Sequence, residues 1–233
     1  MPTPRQGPRQ ARREDVAARI LEIGRLHLAE HGAPALSLRA VTRDLGMVSS
    51  AVYRYVANRD ELLTLLLVDA YTELADRVDA ALAASRGGLE PRFLALARAV
   101  RRWALDEPAR YALLYGSPVP GYAAPAEQTT EPGTRVIRAI LGLVEAGVAA
   151  GEVTPGPTTV PVPRVVAVDL RRVRADLGLA VGEAVLARAV LVWSALFGAV
   201  SLEVFGQHGP GTFAHEEALF EHQMRLVVAT LKG

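Results

Sequence analysis

A chain of 233 residues, half hydrophobic and 22% charged, is long enough to bury a sizeable core, in one large domain or a small domain joined to a larger one. It contains no cysteine, which excludes disulfides, thiolate metal sites and thiol nucleophiles and fits a reducing cytoplasm. The net charge of +1 is unevenly spread: residues 1–60 carry ten arginines against six acids, leaving the remainder slightly acidic.

A basic N-terminal module on a slightly acidic body points to an anionic partner for that module alone. The opening MPTPRQGPRQARRED lacks the apolar stretch of a secretory signal. No uninterrupted apolar run approaches the ~18 residues of a membrane span. A cytoplasmic protein with no membrane partner is expected.

Residues 1–13 read as a flexible basic arm, with four arginines from Arg5 to Arg13 before the first acid. A first helix follows over 14–32, where Val16, Ile20 and Ile23, with Ala17, Leu21 and Leu28, recur at helical spacing; Gly32 and Pro34 end it. Ser37 caps a short helix over 38–45 that turns Leu38, Val41 and Leu45 inward, and Gly46 permits the tight turn after it. A second short helix is expected over 49–56. Asn58 with Glu61 three positions on then forms a capping box opening a long helix over 59–85. Further helices are expected over 90–116, bent at Pro108, and over 134–151, separated by a loop at 117–133. The proline-rich stretch 154–163 must be irregular, and helices resume at 164–177, 181–206 and 212–231. The class is all-α, with about nine or ten helices, no internal repeat and no alternating run that claims a sheet.

Two short helices joined by a glycine turn and preceded by a third form a helix-turn-helix pattern over residues 14–60. The helix after the turn can enter a major groove only if its outward residues are short or flat. Ser49, Ser50 and Ala51 meet that requirement: serine hydrogen-bonds to either base type and the alanine methyl packs on a thymine methyl. Tyr53, Arg54 and Tyr55 reach beyond the bases to phosphates, contacts that set register rather than sequence. Ser37 and Arg39 open the bracing helix on the same side. Arg59 stands where free amides at the mouth of the long helix add to its attraction for phosphate.

These residues, LSLRAVTRDLGMVSSAVYRYVANRDELL, resemble the DNA-binding domain of the TetR family of bacterial transcriptional regulators. The resemblance implies a three-helix DNA-binding domain followed by a larger helical ligand-binding and dimerisation domain over 61–233. It departs from the pattern at Val48, where a polar cap such as Ser or Thr is usual: either Ser49 takes over the cap, or Val48 faces DNA and meets a thymine methyl. RYALLYGSPVPGYAAP (110–125) with LVWSALFGAVSLEVFGQHG (191–209) resembles a C-terminal ligand-binding domain of some members, marked by a Trp and a later His-Gly. Trp193 is present, and Phe197-Gly198 stands where His-Gly is expected, implying a more apolar ligand.

The resemblance implies an inducer cavity lined by some of Trp103, Tyr111, Leu114, Tyr115, Tyr122, Trp193 and Phe197. These aromatics and their neighbours suit a small-molecule pocket as well as a plain core. Val185, Ala189, Val192, Leu196 and Val200, with Leu219, Leu226 and Val227, recur at helical spacing and would pair two subunits through a four-helix bundle. A twofold dimer implies a palindromic operator with recognition helices about 34–36 Å apart. The expected function is a ligand-responsive regulator, a repressor released when an effector favours a tilted long helix. The alternatives are an all-helical enzyme with a fortuitous N-terminal motif, or a sequence-independent architectural DNA binder. No Gly-x-Ser-x-Gly, phosphate loop or His-Glu-x-x-His supports an enzyme. The pairs His27/His31 and His215/His222 lack a third ligand at zinc spacing. No cofactor, catalytic residue or metal is expected.

Overall fold

Ten helices account for most of the described residues of the computed structural model, which describes residues 8–156 and 160–232. They are α1 (Pro8–Ala35), α2 (Leu38–Asp44), α3 (Ser49–Val52), α4 (Arg59–Ala84), α5 (Leu89–Asp106), α6 (Pro108–Tyr115), α7 (Ala126–Ala149), α8 (Arg164–Leu177), α9 (Glu183–Val204) and α10 (Glu216–Lys232). The all-helical expectation is met, with several boundaries moved. Pro8 is tolerated at the start of α1 because its missing N–H would have no partner there, so residues 8–13 are helical rather than an irregular arm. Residues 1–7 lie outside the described residues. Gly32, at φ 72°, breaks α1 near its end, a backbone conformation that a side chain would strain. The recognition helix closes at Val52, and residues 53–55 form turns. α7 begins at Ala126, inside the stretch expected to be loop.

The chain divides into two compact units: Met1–Thr72 with Glu107–Gly133, and Glu73–Asp106 with Thr134–Gly233. The division falls within α4 and α7, and α6 belongs with the N-terminal residues rather than with the rest of 61–233. In the first unit, α2 packs on α1 and α3, while α6 packs on α1. Its core gathers Ile20, Leu38, Val41, Leu45, Val52 and Leu62 among others, all nearly inaccessible. Leu38, Val41 and Leu45 thus serve as the brace their spacing predicts.

Polar contacts fix the joints of this unit. Ser37 accepts from the Ala40 amide at 3.5 Å. Gly46 turns at φ 65°. The Glu61 amide donates to Asn58 Oδ1 (2.9 Å) while Glu61 accepts from the Ala57 amide (2.6 Å), a capping box displaced by one residue at its outer end. Asp69 on α4 accepts both guanidinium arms of Arg25 from α1 (2.5 and 2.8 Å) and one from the buried Arg110 of α6 (2.9 Å).

In the second unit α9 packs against α5, α8 and α10. Phe93, Val100, Trp103, Val192, Leu196 and Phe220 are among its buried residues. Arg101 makes two hydrogen bonds to Glu203 (2.5 and 2.8 Å), and Arg98 pairs with Glu221. Arg188 is buried in α9 with no carboxylate partner among the described residues. Its guanidinium donates to the carbonyls of Leu231 (3.0 Å) and Thr154, using the negative end of α10 as counter-charge. By length and composition α9 could cross a bilayer, but one side of it packs in the unit's core.

Candidate nucleic-acid interface

Burial sorts the expected DNA-facing residues into open side chains and struts. Val48 (73% exposed), Ser50, Tyr53 and Arg54 stand in solvent around α3, and Ala51 is half covered. The Ser49 side chain lies outside the described residues. Arg39 is exposed at the start of α2. Ser37 is half-buried and engaged in capping α2. Tyr55 is half-buried and packed against the helix-turn-helix core, which leaves only part of it open to a partner.

Arg59 has a structural role that its position beside a helix start does not announce. Its guanidinium donates to the carbonyls of Leu36 (3.0 Å), Ala33 (3.0 Å) and Pro34 (3.1 Å), with Asp60 3.5 Å away. It ties the frayed end of α1 to the mouth of α4. Its Nε and Nη2 are thereby committed to backbone oxygens, and only Nη1, beside Asp60, remains for another partner.

Arg12 and Arg13 stand exposed beside the recognition helix. A recess of about 250 Å³ is lined by Arg12, Arg13, Val16, Met47, Ala51, Arg54 and Tyr55. It joins the first turns of α1 to the recognition helix. Arg12, Arg13, Arg39 and Arg54 have no ion-pair partner among the described residues, whereas Arg25, Arg43, Arg59 and Arg110 in the same unit are held by carboxylates or carbonyls. Cations left unpaired on one face create a field that attracts a polyanion. The Arg12-Arg13 pair is visible in the sequence; its helical placement is not, because Pro4 and Pro8 suppress a helical reading.

His27 is buried, with Nε2 2.7 Å from Asp44 Oδ2, joining α1 to the end of α2. The bond to His27, with a second to Arg43, holds the Asp44 carboxyl below its ordinary range. His31 meets His27 edge to face at 5.7 Å. Both histidines of this pair therefore have structural surroundings.

The expected effector residues fall into two sets. Tyr111, Tyr115 and Tyr122 belong to the first unit. Tyr115 lies between Tyr71 (centroids 6.3 Å apart) and Tyr111 (5.1 Å). Tyr122 meets Thr64 at 2.9 Å. Because the Thr64 hydroxyl donates to the Asp60 carbonyl (2.9 Å), the Tyr122 hydroxyl is the donor in that pair. Burial pushes the Tyr71 and Tyr115 phenols up from their ordinary range, so both remain neutral hydrogen-bonding groups. A Cβ at Gly133 would stand 3.3 Å from the Tyr71 ring, so the glycine makes room for that tyrosine. Leu114 is partly buried on the same α6. Tyr71 and Thr64 escaped the sequence reading, hidden in the leucine-rich long helix. In the second unit Trp103 is wholly buried core, and Trp193 and Phe197 form a tilted pair on α9 at 5.6 Å.

The expected dimer stripe is corrected. Val185, Ala189, Val192, Leu196 and Val200 are each at most 1% exposed within a single chain, so they face their own core and cannot meet a second subunit. The open face of α9 carries Leu191, Ser194, Gly198 and Leu202, with Phe205 just beyond. On α10, Leu226 is 58% exposed, and Leu219 and Val227 are half-buried.

A braced short helix with open small residues, flanked by unpaired arginines, defines a helix-turn-helix regulator of transcription. Comparison with known proteins narrows this class. Residues 93–227 match the Tetracyclin repressor-like, C-terminal domain family. The HTH-type transcriptional regulator Rv1816 of Mycobacterium tuberculosis (strain ATCC 25618 / H37Rv) is 48% identical over 230 residues, covering 98% of this chain and 97% of that protein. Among solved structures, SCO4313, described as a regulatory protein, superposes with a TM-score of 0.77 at 36% identity, covering 96% of this chain and all of the other. A tetR-family regulatory protein from Rhodococcus RHA1 shares the fold at a TM-score of 0.60 and 16% identity, covering 92% and 96%. The chain belongs to the TetR family of transcriptional regulators.

Proposed function

We propose that this regulator is a cytoplasmic homodimeric repressor that binds a palindromic operator and is released by a small-molecule effector. The observation that carries the DNA reading is the clustering of unpaired Arg12, Arg13 and Arg54 around α3, with the unpaired, exposed Arg39 on α2, which packs on α3. In this reading Val48, Ser49, Ser50 and Ala51 approach base edges, while Tyr53, Arg54, Arg12 and Arg13 grip phosphates and Tyr55 supports them. An architectural binder would spread its cations more widely, and the near-neutral net charge of the chain argues against it.

Dimerisation is assigned to the open face of α9 around Leu191, Gly198 and Leu202 with Leu226 of α10, not to the buried stripe. A helix apolar on all sides, buried on only one by its own chain, calls for a second apolar neighbour. The effector is assigned to the neighbourhood of Tyr71, Tyr111, Tyr115 and Tyr122, where rings supply apolar area and neutral hydroxyls supply handles. It acts by binding the DNA-released state more tightly, and the switch can be no larger than that difference.

The test is fluorescence anisotropy of the purified protein on duplexes selected from a random library, with competitor DNA over a salt series. Selection of a twofold-symmetric sequence that outcompetes random duplex supports the reading. Failure to bind any duplex at low salt, or equal affinity for all, removes it.

A further inference from the structure

Val48 precedes α3 directly, and its carbonyl accepts from the Ala51 amide at 2.9 Å, the bond that an N-cap residue supplies. A Ser, Thr, Asn or Asp at such a position would also cap an amide with its side chain. Valine forgoes that stabilisation, which amounts to roughly 1 kcal/mol at a typical cap. Nothing is gained in the core, because Val48 is 73% exposed while its neighbours Leu45 and Val52 are 4% and 0% exposed. In this unit the other large apolar side chains left open among the described residues are Leu26, on α1, and Tyr53.

Resting on the DNA-binding reading above, we infer that Val48 reads the 5-methyl group of a thymine, and that the operator carries a thymine at the matching position of each half-site. The residue stands on the leading edge of the recognition helix, two residues before the exposed Ser50; the unpaired Arg54 follows that helix, and the unpaired Arg39 lies on α2, which packs on it. A partner that covers this face is therefore a nucleic acid. A major groove offers few apolar groups; the one that distinguishes a base pair is the thymine methyl. A branched aliphatic side chain covers that methyl and hydrogen-bonds to nothing. At this position it favours T over C and over the unmethylated analogue uracil, which keeps every hydrogen-bonding group of thymine. A polar cap would lack that preference.

The experiment uses the full-length protein and its own selected duplex. Each thymine of the half-site is replaced in turn by uracil, symmetrically in both half-sites, and Kd is measured for wild type, Val48→Ser and Val48→Ala. Val48→Ser restores a polar cap, so loss of folding does not confuse the outcome, and circular dichroism checks both variants. Wild type should lose about fourfold per half-site at one position, the weight of one buried methyl-sized group. Val48→Ser and Val48→Ala should bind the thymine duplex correspondingly more weakly and be indifferent to uracil there. Two outcomes overturn the inference and leave DNA binding intact: no thymine is sensitive to methyl removal, or the variants keep the same sensitivity. Failure to select any sequence overturns the DNA reading itself.

Discussion

Asp69 shows how much one carboxylate can hold. It takes both arms of Arg25 and one arm of Arg110, tying α1, α4 and α6 together within one unit. Arg110 is 3% exposed, with Glu107 3.7 Å away as a weaker second carboxylate. Asp69→Asn keeps the shape and removes the charge, leaving a buried guanidinium short of its counter-ion. It should lower stability by about 2–4 kcal/mol in urea denaturation; a loss below ~0.5 kcal/mol would mean that Glu107 and solvent suffice. Arg12 and Arg13 act in the opposite sense, since nothing in the described fold holds them. Replacing both by Ala should leave the denaturation midpoint unchanged, weaken all duplexes alike, and reduce the slope of log K against log salt by about 0.9 for each phosphate no longer neutralised. A changed sequence preference with an unchanged slope would count against phosphate binding. Arg59 was legible as a cation beside a helix start but not as a strut, because its acceptors lie 23 to 26 residues back along the chain. No local spacing encodes that partnership.

Helices were legible wherever one face differs from the other. The brace residues Leu38, Val41 and Leu45, the Gly46 turn and the Asn58–Glu61 cap follow from local chemistry, and the structure contains them all. α7 was legible only from Thr134, because Pro132 and Gly133 read as a break. Pro132 instead sits buried inside a helix, in its second turn, where its missing N–H leaves the Gln128 carbonyl without its helical donor. α9 is the harder case. A helix apolar on every side offers two stripes of equal quality, and periodicity cannot say which one the chain keeps for itself. Packing by α5, α8 and α10 decides it: the 185–200 stripe is core, and the open stripe runs through Leu191, Gly198 and Leu202. Leu191→Glu with Leu202→Glu places two carboxylates on that open stripe without touching the core. The double variant should keep its helical circular dichroism and run as a monomer in light scattering where wild type runs as a dimer. A variant that remains dimeric would assign the interface elsewhere.

At the scale of the whole molecule, the proposed homodimer would recognise DNA through two copies of a weak reader. Each protomer offers one four-residue recognition helix and a handful of arginines, a set of groups that suits weak binding to a half-site. Joining two such readers makes the second binding event intramolecular, and its gain is set by effective concentration rather than by any new interaction. The monomeric double variant described above retains an unaltered first unit, so its half-site affinity should match that of wild type. On the full palindrome it should bind about 10²–10⁴-fold more weakly than wild type. Moving the half-sites apart by half a helical turn should cost wild type a comparable factor and cost the variant nothing, because only a linked pair senses spacing. Measured together, these affinities separate two causes of weak binding. If the variant also loses half-site affinity, the glutamates have disturbed the reader itself. If it binds the palindrome as tightly as wild type, a single protomer suffices, and the twofold operator assigned to this regulator is wrong.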